Sequence, residues 1–146
     1  MKIDKRNLKH WLLLAQQAIF TTAAIALRPF NRKPETPLVL LYGHQLSGNL
    51  KALYEEWQRR YTGELSMHFL SLDPAYGSQL EQQGTNVLRC NRFSDMLALT
   101  KASVIITDHG LHAMQPLLQV TDITFIDVWH GIPFKGFVPD DFRTQH

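Results

Sequence analysis

The sequence predicts an α/β fold: a doubly wound parallel sheet preceded by an N-terminal amphipathic helix. Three observations lead there. From Leu38 onward, short apolar runs alternate with stretches of helical spacing. The strongest runs are continuously apolar, the form taken by strands covered on both faces. Glycine, Asp-Pro or a lone aspartate ends most of the runs, marking turns into the next element.

The composition permits such a core. The chain has 146 residues, the size of one domain, with 45% apolar and 19% charged residues. A single cysteine, Cys90, excludes an intrachain disulfide and argues against a thiolate zinc site. Charge is uneven. Residues 1–33 hold seven basic groups and one acid, Asp4, a net of +6, whereas residues 34–146 sum to −4. The main body is thus mildly acidic, which argues against a nucleic-acid-binding face. The cationic leader suits an anionic membrane surface.

The first element is an apolar run from Trp11 to Leu27. Its 17 residues fall short of the roughly 20 that span a bilayer. On a helical wheel, Lys9, His10, Gln16, Gln17 and Thr21 share one side. Leu8, Trp11, Leu12, Leu14, Ala15, Ala18, Ile19 and Ile25 share the other, while Leu13 and Phe20 interrupt the polar side. Three readings stand: a helix lying in the membrane interface, a helix packed on the protein's own core, and a secretory signal ending near Ala24-Ile25-Ala26. The basic flanks and Trp11 favour the first, and the glutamine pair opposes the last. Residues 1–33 are therefore expected to form a membrane-associating helical segment, and residues 34–146 the α/β domain. The stretch from Arg28 to Pro37 holds three prolines and reads as a linker.

The domain begins with Leu38–Tyr42, a short buried strand ended by Gly43. A helix follows, with apolar positions Leu50, Leu53, Tyr54 and Trp57 and with Ser47 or Asn49 as N-cap. Met67–Leu72 is the second strand, and a short helix is expected around Gly77–Gln83. Asn86–Arg89 is a weaker third strand, followed by a helix capped by Ser94. Ser103–Thr107 is the clearest strand, Leu111–Leu118 a helix, and Ile123–Trp129 a last buried strand. Right-handed crossovers put all five strand ends on one edge, where such sheets bind ligands.

The segments after the strands are therefore the candidate site. In the first, Gly43 and Gly48 stand at P-loop spacing, but Asn49-Leu50 replace the Lys-Ser/Thr that phosphates and magnesium need. No dinucleotide fingerprint is present. The segment is either a glycine-rich turn or a helix start whose N–H groups hold an acidic or hydroxylated ligand. Asp108 either caps the next helix or orients a ligand or a catalytic histidine. His109 and His112 lack a third ligand nearby in sequence, so no metal is expected. The last segment is the most informative. His130, just past a strand end, suits a general base. Gly131 permits close approach, and Lys135 can bring positive charge to a phosphate. Cys90 has no base near it in sequence and reads as a buried structural thiol.

Trp129-His130-Gly131-Ile132-Pro133-Phe134-Lys135 resembles the W-H-G-x-P-x-K signature of the CDP-glycerol glycerophosphotransferase family, the teichoic-acid primases and polymerases and their relatives. Ser47–Tyr54 resembles the family's first loop and helix, and Lys101–Asp108 its A-x-x-I-I-T-D strand. The resemblance covers about residues 38–138. It implies the Rossmann-like, acceptor-side half of a GT-B architecture, working peripherally at the cytoplasmic face of the bacterial plasma membrane in cell-wall polymer synthesis. It implies transfer of glycerol phosphate, or a related polyol phosphate, from a CDP-activated donor to a lipid-linked glycan or polyol-phosphate acceptor, without a cofactor. His130 would take the acceptor proton. Gly131 and Lys135 would shape and neutralise the phosphate region, and Asp108 would orient His130 or bind the acceptor. Gly43, Ser47 and Asn49 would complete the substrate-binding set. The family's second, nucleotide-binding domain has no counterpart in the chain, so the isolated chain is expected to be incomplete and inactive. Two alternatives are the first half of a nucleotide-sugar GT-B glycosyltransferase and a non-enzymatic α/β binding domain.

Overall fold

The computed structural model describes residues 8–30, 34–108 and 122–128. Helix α1 covers Leu8–Leu27 and continues into a 3-10 turn, Arg28–Phe30, where Pro29 ends the α-helical pattern. Five strands follow: β1 Leu38–Tyr42, β2 Ser66–Ser71, β3 Val87–Arg89, β4 Val104–Thr107 and β5 Thr124–Asp127. Among the described residues, three helices lie between them: α2 Gly48–Arg60, α3 Pro74–Gln82 and α4 Phe93–Leu99.

All four strand pairs are parallel, in the order β3-β2-β1-β4-β5. The sheet is Rossmann-like, as the alternation of apolar runs predicts. Strand β1 sits at its centre, and Leu40 and Leu41 are fully buried. Residues of β1 alternate between two cores. Val39 and Leu41 meet Leu50, Tyr54 and Trp57 of α2 and Leu80 of α3. Leu38 and Leu40 meet Met96 and Leu99 of α4 and Ala24 of α1. One helix pair therefore covers each face, which explains the uniformly apolar strand.

Three expectations need correction. Helix α3 starts at Pro74 rather than near Gly77. The Asp73 carboxylate accepts from the amides of Ala75 (2.9 Å) and Tyr76 (3.3 Å), and Pro74 supplies the first helical residue. Ser94 lies inside α4, whose N-cap position is Arg92; its hydroxyl donates to Asp95. Strand β5 is not a buried strand. It pairs with β4 alone among the described strands, and Ile126 is 44% exposed. The expected helix at Leu111–Leu118 and residue Trp129 lie outside the described residues.

Candidate functional site

The strand order places a topological switch between β1 and β4. From β1 the chain moves one way to β2 and β3, then crosses back to β4 and β5. In parallel sheets such a switch point is where ligands bind, outside the carboxyl ends of the two strands. Gly43 and Asp108 are the first residues past those two strands.

They are packed against each other. A Cβ at position 43 would fall 2.7 Å from Asp108 Oδ1 and 2.7 Å from Leu50 Cδ1. Only a residue without a side chain lets the Asp108 carboxylate and the Leu50 side chain approach this closely. Asp108 is 5% exposed and follows Thr107, which is fully buried. A carboxylate held at this depth under a ligand-binding edge has a fixed position and can orient a proton-accepting or hydroxyl-bearing group.

The segment from Gly43 to Ser47 leads into α2. Ser47 holds the N-cap position with extended backbone, but its hydroxyl makes no capping hydrogen bond. Gly48 opens the helix at φ +52°, in the left-handed region that favours glycine. Asn49 does not cap the helix either. Its Nδ2 donates to the carbonyl of Val128 at 3.2 Å. That bond ties the first turn of α2 to the chain leaving β5, two residues before His130. The Val128 amide in turn donates to Thr107 O at 2.8 Å, adjoining Asp108. Gly43, Asn49 and Asp108 are thus mechanically linked to the exit of β5.

One contributor was not singled out from sequence. The Tyr76 hydroxyl, on α3, accepts from the Leu46 amide at 3.0 Å and steadies the first loop. Asp73-Pro74 signalled that a helix starts here, but the reach of a tyrosine across 30 residues requires the packing of α3 beside α2. His130, Gly131 and Lys135, together with His109 and His112, lie outside the described residues.

Cys90, past β3, is buried, and burial pushes its thiol up to about 12, with nearby Asp95 adding to the effect. It is a structural thiol rather than a nucleophile. The guanidinium of Arg89, at the end of β3, pairs with Glu81 and donates to Ser78. Both partners lie on α3, so this charge is committed to joining helix and strand.

Comparison with known proteins supplies the identity. The family model for CDP-glycerol:poly(glycerophosphate) glycerophosphotransferase matches residues 21–145, well over half of the chain. The chain belongs to this family. Its function is accordingly of the glycerophosphotransferase type, with a CDP-glycerol-type donor and a polymer acceptor. No curated protein and no solved structure matches the chain.

Proposed function

We propose that this chain is the acceptor-side part of an enzyme that transfers glycerol phosphate, or a related polyol phosphate, from a CDP-activated donor to a lipid-linked surface-polymer acceptor. The observation that carries this reading is the packing of Gly43 against Asp108 at the switch point, with Asn49 holding the strand exit that leads to the W-H-G-x-P-x-K segment.

In the proposed step an acceptor hydroxyl attacks the phosphorus that bears the polyol. The phosphoanhydride bond to CMP breaks, and CMP leaves with the bond's electron pair. His130 receives the hydroxyl proton. Lys135 balances charge on the transferring group, and Gly131 leaves room for it. Asp108 orients His130 or an acceptor hydroxyl. The N–H groups opening α2, together with Ser47, meet the hydroxylated part of the substrate.

The test is CMP release from CDP-glycerol by the complete protein with a membrane acceptor. His130→Ala is expected to lower turnover by about 10²–10⁴ without lowering the melting temperature. Lys135→Ala should also raise KM. His109→Ala and His112→Ala should stay near the parent rate. Near-normal turnover in His130→Ala, or loss that follows unfolding, would overturn the assignment. Release of nucleotide from a nucleotide sugar, and not from CDP-glycerol, would favour a glycosyltransferase instead.

A further inference from the structure

Helix α1 is mounted through Gln17, Phe20, Thr21 and Ala24, with Gln16 bonding from the exposed margin. Gln17 Nε2 donates to the carbonyl of Leu72, just past β2, at 3.3 Å. Gln16 Nε2 donates to Asn91 O, past β3, at 3.5 Å. The Thr21 hydroxyl meets Met96 Sδ at 3.7 Å, Phe20 packs edge-on against Phe93, and Ala24 is buried. The opposite side is apolar and faces outward. Leu8 is 72% exposed, Trp11 51%, Leu12 62% and Ile19 65%, and Ala15 and Ala18 lie exposed between them. This stripe runs from Leu8 to Ile19, roughly 18 Å of the helix.

We propose that α1 is an interfacial anchor that lies flat on an anionic bilayer through this outer stripe, while its glutamine face stays docked on the domain. By length and composition the helix could cross a membrane, with a mean hydropathy of 1.3. Crossing would strip the contacts to Leu72, Asn91, Met96 and Phe93 and carry two glutamines into hydrocarbon. Lying flat keeps every one of them. Charge selects the lipid. Lys2, Lys5, Arg6 and Lys9 precede or open the helix, and Arg28, Arg32 and Lys33 follow it, against Asp4 alone. Each such charge near an anionic surface is worth about fivefold in partitioning. Trp11 belongs at the headgroup level. The family match begins at residue 21, so Leu8, Trp11, Leu12 and Ile19 all precede it.

The mounting also sets an orientation. Gln16 and Gln17 meet the ends of β3 and β2, while the C-terminal end of α1 leads back to the start of β1. The helix therefore runs antiparallel to the strands, and flat binding lays the strands parallel to the membrane. The site edge then opens sideways, about one helix layer, roughly 10 Å, above the lipid. An acceptor anchored in the same leaflet reaches it laterally. This last consequence rests on the proposed transfer reaction; the anchoring does not.

The experiment is co-flotation of the full chain with vesicles of phosphatidylglycerol and phosphatidylethanolamine, or of phosphatidylcholine alone. Binding is expected to the anionic vesicles and to weaken with salt. Leu12→Glu and Ile19→Glu should each lower partitioning about tenfold or more while circular dichroism and melting stay unchanged. Leu12→Ser and Ile19→Ser should act in the same direction. A fluorophore on Ala15→Cys should be quenched by brominated lipid, and one on Gln58→Cys of α2 should not. Buried Cys90 leaves such labelling selective. Unchanged binding by the glutamate variants, equal quenching at both labels, or a wild-type dimer that Leu12→Glu dissolves without any vesicle binding would each overturn the proposal. No arm measures transfer, so its failure leaves the enzymatic reading standing.

Discussion

Helices α1 and α2 sit on opposite faces of one sheet and solve opposite problems. Helix α2 follows the usual rule. Leu50, Tyr54 and Trp57 face the sheet, and Lys51, Glu55, Glu56, Arg59 and Arg60 face water in short-range ion pairs. Helix α1 turns Gln17 and Thr21 inward and Leu8 and Leu12 outward. The difference lies in what each helix docks upon. Helix α2 lies over the apolar side chains of β1 and β2. The N-terminal half of α1 reaches the ends of β2 and β3, where the backbone leaves the ladder and carbonyls need donors. An amphipathic pattern therefore fixes two faces of a helix. The receiving surface decides which face goes in.

Substitutions that remove buried volume from α2 should break this arrangement most. Leu50→Ala is expected to cost about 2–5 kcal/mol, read as a fall in the denaturation midpoint. Gly43→Ala forces a methyl group onto Asp108 and Leu50. It should cost about 1–3 kcal/mol, and if Asp108 is the group that yields, activity should fall further than stability. Gln17→Ala removes an inward hydrogen bond of α1 and should cost about 0.5–1.5 kcal/mol. Leu12→Ser on the outer stripe should change stability by no more than about 0.5 kcal/mol, read by the same melt. An α1 mounted the other way would reverse the last two results.

The two faces also differ in their response to acid. Tyr42, His68 and Cys90, the groups that burial shifts, lie toward α1 and α4. Burial lowers the His68 pKa, and Asp95 opposes this only in part. The unfolded chain therefore takes up a proton there before the folded chain does. Stability from neutral His68 is complete above its unfolded value of about 6.5 and is lost as pH falls from there toward the folded value. His68→Gln should flatten the stability profile below about pH 6.5, while Leu50→Ala should lower it without changing its shape.

Much of the fold was legible because the punctuation is local. Pro29 and Gly43 bound α1 and β1; β1 matches the sequence reading residue for residue, and α1 ends at Leu27 as read but begins at Leu8, three residues ahead of the apolar run from Trp11. The start of α3 was misplaced because Asp73-Pro74 reads equally as a strand end and as a helix cap. Strand β5 looks buried by composition, and only the strand order reveals it as an edge among the described strands. The site was legible as separate residues. Gly43 and Asp108 stand 65 positions apart in sequence, and their contact depends on β1 lying beside β4. The Asn49 bond to Val128 has no sequence signal, since it needs α2 to start over the β5 exit.

The docking of α1 has a consequence for the order of assembly. Gln16 to Asn91 and Thr21 to Met96 each join residues 75 positions apart. At ribosomal rates of about 5–20 residues per second, α1 exists for roughly 4–15 s before its receiving surface has been made. During that interval both of its faces are uncovered. The outer face has no need of the domain, so under the proposed anchoring a nascent chain would settle on lipid first and fold its sheet there, with α4 closing over a helix already in place.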